Sequence, residues 1–271
     1  MKKNLFISPH LDDVVLSCGE YLKKLSNEGE NITVMTIFSG FPEPASFSKI
    51  AREYHAKCKV YDDVIFKRKE EDIFAMEYYG ADYIHLDFFE ALYRLDKYGN
   101  HRFKNVSDIF NKNVLAENDT VSEIKEKICN TIDFNLIKCI YIPLCLGNHI
   151  DHILTSKAVI QLLNEECNDI EVYYYEDVPY SFNLIDEKWD IDYMCKLNAD
   201  VFDISYEEWS SKLIGIDFYE SQVRALWKNK DEKIYQLNTL AFYLSYTERK
   251  IRFWKNINMR LNSKKMTLVK R

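Results

Sequence analysis

A chain of 271 residues with 47% hydrophobic and 29% charged residues is long enough to bury a core and too apolar to be mainly disordered. Its formal net charge of −7 argues against nucleic acid as the main partner. No run approaches the roughly 20 apolar residues that span a bilayer, the N-terminus shows no secretory-leader pattern, and a cytoplasmic protein is expected.

Residues 3–8 (KNLFIS) read as a short buried strand, and 14–25 carry apolar residues at helical spacing up to a stop near Gly29. ITVMTIF (32–38) is β-branched and continuous, as a central parallel strand should be. SGFPEP is a loop, 46–59 and 67–80 are helices, and ADYIHLDF (81–88) is a strand. A helix over 120–134, the strand KCIYIPL (138–144), a helix over 152–167 and the strand IEVYYYE (170–176) follow. From about 205 to 260 the pattern is helical. This alternation predicts an α/β fold: one domain over 1–271, with an α/β core over 1–200 and a helical C-terminal extension over 201–271. In such sheets ligands collect at the carboxyl ends of the strands. The seven cysteines include no C-x-x-C pair and read as reduced, mostly buried thiols. Nine of the residues from Arg249 to Arg271 are Lys or Arg with no acid among them, which suits either an anionic partner or a solvated helix end.

Two strand ends stand out. ISPHLDDVVLSCG (7–19) places His10, Asp12 and Asp13 after the first strand, and PLCLGNHIDHILTS (143–156) places His149, Asp151 and His152 after another. An aspartate at each site could cap the helix that follows. A cap does not account for a second aspartate and a histidine beside it, repeated at a second strand end. Two imidazoles and one carboxylate form a familiar ligand set for catalytic zinc, which leaves a fourth position for water. Asp13 as ligand and Asp12 as base would both neighbour a dication, and that offsets their mutual repulsion. No phosphate-binding glycine loop and no G-x-S-x-G elbow occurs.

SPHLDDVVLSCG and HIDH resemble the two signature motifs of the PIG-L/LmbE-like N-deacetylases, P-H-x-D-D and H-x-D-H. The resemblance implies a Rossmann-like, mostly parallel sheet flanked by helices, and one Zn2+ per chain used to remove acetyl from N-acetylglucosaminyl compounds. It implies His10, Asp13 and His152 as metal ligands and Asp12 as general base. It also implies His149 as oxyanion stabiliser or proton donor to the leaving amine, with Asp151 orienting it. RKEEDIFAMEYYGADYIHLDF (68–88) is similar to the family's Arg-x-x-Glu helix, which makes Arg68 and Glu71 candidate substrate-side residues. YYYEDVPYS (173–181) and FYESQ (218–222) resemble blocks of one branch of the family, and Asp177 and Tyr180 could line a sugar pocket.

This chain departs from the pattern at Val14, where many members have Glu, and at Cys18-Gly19, where many have Gly-Gly. Glu90-Ala91-Leu92-Tyr93-Arg94 stands where relatives often show Asp-Ala-x-Tyr-Arg. The expected partner is a small-molecule N-acetylated amino sugar or glycoside, from bacterial secondary metabolism (an aminoglycoside-type pseudo-disaccharide) or from thiol-cofactor or cell-envelope sugar synthesis. A homo-oligomer is compatible with the sequence. The alternative reading is a catalytically silent metal- or sugar-binding protein of the same fold.

Overall fold

The computed structural model describes residues 2–40, 42–43, 46–61, 63–110, 117–166, 170–185, 197–245 and 250–256. Five parallel strands form the body of the sheet: β1 (Lys3–Ser8), β2 (Asn31–Thr36), β3 (Asp82–His85), β4 (Ile137–Pro143) and β5 (Glu171–Tyr175). Two further strands, β6 (Leu197–Asp203) and β7 (Lys250–Asn256), extend it antiparallel, giving the order β3-β2-β1-β4-β5-β7-β6. The mostly parallel α/β sheet is therefore as expected.

Alternation along β1 divides the interior. Leu5 and Ile7 face one apolar layer with Ile140, Ile142, Val121, Ile124 and Leu154. Phe6 faces the other layer, with Val15, Leu22, Tyr141, Met76 and Ile216. The first layer is covered by α5 (Asn118–Thr131) and α6 (Ile150–Glu166). The second is covered by α1 (Asp13–Asn27), α3 (Val64–Tyr79) and α7 (Tyr206–Asp217). Apolar residues on both pleats are what a sheet covered on both faces requires. The remaining helices are α2 (Lys49–Cys58), the short α4 (Val106–Ile109), α8 (Glu220–Leu226) and α9 (Lys230–Ser245).

The C-terminal region is helical over α7, α8 and α9, but residues 250–256 are a strand, which corrects the helical reading to 260. Ile251 and Phe253 are buried two residues apart, a period of two inside a basic segment. Phe253 packs on Tyr21 and Tyr141, with ring centres 4.8 and 5.2 Å away. Lys255 pairs with Asp200 at 2.9 Å and lies over the Tyr173 ring. Part of the basic tail therefore belongs to the sheet; residues 257–271 lie outside the described residues. The boundary placed at residue 200 falls inside β6, whose Cα partners in β7 run from Asn256, opposite Leu197, to Lys250, opposite Asp203. Cys18, Cys58 and Cys139 are buried free thiols, Cys145 is half-buried and Cys129 is exposed; Cys167 and Cys195 lie outside the described residues.

Candidate metal centre

β1 and β4 are parallel neighbours, so their carboxyl ends lie side by side. That pairing brings together two motifs about 140 residues apart. After β1, Ser8 accepts the Val14 N–H and donates to the His10 carbonyl, which tightens the turn. Asp12 stands at the N-cap position of α1, yet its side chain makes no capping bond. The cap reading therefore does not explain it. After β4, Cys145, Gly147 and Asn148 take left-handed backbone angles before α6 starts. Gly147 is needed twice over: its φ is +77°, and a Cβ there would lie 2.8 Å from the Tyr180 ring.

His10, Asp13 and His152 meet, each buried, with donor atoms all within 4.8 Å of one another. Asp13 Oδ2 lies 3.0 Å from His10 Nδ1 and 3.3 Å from His152 Nε2, and it also accepts the His10 backbone N–H at 2.9 Å. His10, His149 and Asp151 form a second possible group. There, however, Asp151 Oδ2 is engaged by His10 and the Ala91 N–H, and His149 Nδ1 accepts the Asp151 N–H at 3.2 Å. The first group is the better match. His152 Nε2 is buried without a hydrogen-bond partner, and its other nitrogen lies 2.5 Å from Asp177 Oδ1. A buried imidazole nitrogen left open beside a carboxylate and a second imidazole is a donor set that suits Zn2+.

The electrostatics point the same way. Burial pushes the Asp12 carboxyl up and neighbouring Asp13 adds to it, to about 7, against the pull of Arg68. Burial also opposes the charge on Asp13, but His152 and His10 outweigh it and hold the carboxyl well below its ordinary range. Burial disfavours charged His10 and His152, yet Asp13 raises both, His152 to about 9. The pull of Asp13 on both imidazoles favours positive charge there, the charge that a divalent cation would supply instead. His149 is the exception: burial keeps it neutral by holding its pKa well below the ordinary value.

The other expected residues divide. Arg68 is buried with Nη2 3.9 Å from Asp12 Oδ1, and it pairs with Glu90. The Tyr180 ring stands edge-on to His152 with centres 5.5 Å apart, and beside Phe110 at 5.7 Å. Asp177, expected at a sugar pocket, meets His152 Nδ1 through one oxygen. It is 1% exposed, and its second oxygen accepts the Leu146 N–H, so it sits behind His152. Glu71, expected on the substrate side, is buried, and both its oxygens accept from Ser221, which fastens α3 to α8. Asp151 lies 3.0 Å from His10 Nε2 and 4.0 Å from His149 Nδ1, so its side chain orients His10 and only its backbone reaches His149. Sequence reasoning missed Arg94, buried against Asp151 and Glu117. Its signal was the Glu90–Arg94 block, noticed only as a departure. His85 Nε2 lies 2.7 Å from Asp72 Oδ2.

Residues 5–163 match the PIG-L family, described as GlcNAc-PI de-N-acetylase. The 2'-N-acetylparomamine deacetylase of Niallia circulans is 29% identical over 188 residues, 65% of this chain and 66% of that protein. The enzyme of the same name from Streptomyces fradiae is 25% identical over 66% of this chain and 58% of its own length. The matches thus span just under two thirds of these curated relatives or less. Among solved structures, the zinc-inhibited form of teicoplanin deacetylase Orf2 superposes with a TM-score of 0.80 at 25% identity, covering 95% of this chain and all of that one.

Proposed function

The chain belongs to the PIG-L family of de-N-acetylases, and we propose that it is a zinc-dependent N-deacetylase that hydrolyses an N-acetylated amino sugar or its glycoside to acetate and a free amine. The observation that carries this is the convergence of His10, Asp13 and His152 beside a buried, uncapped Asp12. His10, Asp13 and His152 would hold one Zn2+ per chain. When bound, the ion polarises the acetyl carbonyl and makes water more acidic.

The chain's own residues do the rest. Asp12 takes a proton from the attacking water; burial and the neighbouring Asp13 raise its affinity for that proton. His149 is neutral, and its Nδ1 accepts the Asp151 N–H, so Nε2 carries the hydrogen. It can therefore donate to the oxyanion that develops on the acetyl oxygen. As the C–N bond breaks, Asp12 returns its proton to the leaving nitrogen, and the balance is water in, acetate and primary amine out. Arg68, beside Asp12, and Tyr180, beside His152, would contact the sugar.

The names of the relatives favour a substrate in antibiotic biosynthesis, an N-acetylated aminoglycoside pseudo-disaccharide or a glycopeptide sugar. The whole chain would act as one deacetylase unit in the cytoplasm. Among the described residues no helix is long and apolar enough to cross a membrane. The test is acetate release from 2'-N-acetylparomamine and from an N-acetylglucosaminyl glycoside, with zinc at one equivalent. Release from at least one is expected; a zinc-loaded protein that releases acetate from neither, yet binds them, would instead be the catalytically silent sugar binder.

A further inference from the structure

Residues 90–94 (EALYR) reach the second motif directly at Asp151 and the first through Arg68. Glu90 takes Arg68, which borders Asp12. The Leu92 carbonyl accepts from Ser48, the residue that caps α2, and Tyr93 Oη lies 2.8 Å from His55 Nε2 in the same helix. Ala91 and Arg94 both turn to Asp151: the Ala91 N–H donates to Oδ2 at 2.9 Å, and Arg94 Nη1 donates to Oδ1. A carboxylate held at both oxygens cannot turn. Asp151 is fully buried, and the same Oδ2 lies 3.0 Å from His10 Nε2.

A turn about the carboxylate would take Oδ2 out of reach of His10 Nε2. Arg94 is fixed against such a turn by partners on several sides. Its Nη1 also donates to the Phe89 carbonyl at 3.1 Å, and its Nη2 lies 3.4 Å from Glu117. The guanidinium sits between the Phe38 and Phe103 rings, 5.2 and 5.3 Å from their centres. Glu117 is itself held by Arg102 at 3.0 Å. A planar fork can serve these directions at once, and a lysine cannot.

We infer that Arg94 is a positioning residue for the metal centre: it keeps Asp151 turned to His10, so that His10 donates from Nε2 and leaves the Nδ1 lone pair for the ion. The inference rests on the reading that His10, Asp13 and His152 hold the metal. A metal-binding imidazole whose far nitrogen meets a carboxylate has its tautomer and ring plane fixed. His152 has the same arrangement through Asp177. The two carboxylates differ in what steadies them: a backbone N–H at Asp177, an arginine and a backbone N–H at Asp151.

Zinc affinity, measured by competition with a chromophoric chelator, tests this without any substrate. Arg94→Met is expected to weaken zinc binding about 10–100-fold, the usual cost of losing such a partner. Arg94→Lys should regain part of the loss, and Glu117→Gln should show a smaller loss in the same direction. Lys212→Met breaks the buried Lys212–Glu20 pair between α7 and α1 and serves as the stability control. It should lower Tm and leave zinc affinity alone.

Arg94→Met and Glu117→Gln binding zinc within about twofold of the parent would overturn the inference. So would Lys212→Met weakening zinc as much as Arg94→Met. Should Arg94→Met not fold, Arg94→Lys and Glu117→Gln decide by the same criterion. His152→Ala separates the two layers of argument. If it binds zinc like the parent, the ligand reading fails and this inference with it. If it loses zinc while Arg94→Met keeps it, only the role of Arg94 is overturned.

Discussion

The two strand ends contribute the same residue types and use them in opposite ways. After β1, the acids face the centre: Asp13 sits between two imidazoles and Asp12 stands uncapped beside it. After β4, the acid faces away from its own motif: Asp151 reaches back to Arg94 and across to His10, while His152 points at Asp13. Each motif's aspartate thus pairs with the other motif's histidine. Spacing within a motif shows which residues are available; the pairing of neighbouring strands decides which of them meet.

The comparison can be broken most severely at His152. His152→Ala removes the one ligand from the β4 side, and it is expected to abolish both zinc content and acetate release, read by elemental analysis alongside the assay. Retained zinc would mean that the β1 end holds the ion without its partner strand. Asp12→Asn should then separate the two functions of the first motif. Turnover should fall about 10²–10⁴-fold, the range for a general acid–base group, with zinc still near one per chain. An active variant would remove Asp12 from the proton transfers.

His149→Ala probes the β4 end in the same way. A loss of about 10²–10³ in kcat with zinc affinity kept is expected for a donor to the oxyanion. Zinc lost in this variant would favour the second group of possible ligands over the first. Asp177→Asn sharpens the comparison at the level of supporting groups. Zinc affinity should drop by about 10–100-fold, since Asp177 stands to His152 as Asp151 stands to His10.

The smallest effect is on pH-dependent stability of the chelator-treated protein. Asp13 raises His152 to about 9 in the fold, above its ordinary 6.5. The protonated imidazole therefore contributes stability in full below about 6.5, and that contribution is lost as pH rises through about 9. Asp12, raised to about 7, loses its contribution in the window below that and adds no gain above it. The Tm of the metal-free protein should fall between pH 7 and 9, and zinc should flatten the slope. A metal-free Tm that is level across this range would show that His152 and Asp13 are not coupled as described.

Much of the fold was readable in the chain. The five parallel strands and the helices between them announce themselves by continuous apolar runs and by apolar residues at helical spacing, and these need only local chemistry. β7 escaped because its two buried residues, Ile251 and Phe253, lie in a basic segment that adjoins a helical pattern. Two apolar positions a single residue apart are too few to outweigh that context. Within the site, residue type and strand-end position marked the two His–Asp clusters, and the resemblance to the family singled out His10, Asp13 and His152 among them. The contacts of Asp177, Glu71 and Arg94 were not legible, because a carboxylate or a guanidinium reads alike whether it meets a substrate, a histidine or a serine of a distant helix.

Taken alone, the order of amino acids placed residue types that suit a metal at two strand ends and pointed to an α/β sheet that presents them, since residue type and hydrophobic period are local properties. Only the folded chain decided that Asp151 serves His10, that Asp177 stands behind His152, and that Arg94 steadies Asp151. Those assignments depend on distances of a few ångströms between segments remote in the chain. Hydrogen bonds and ion pairs act only over such distances, and the pairing of β1 with β4 is what sets them.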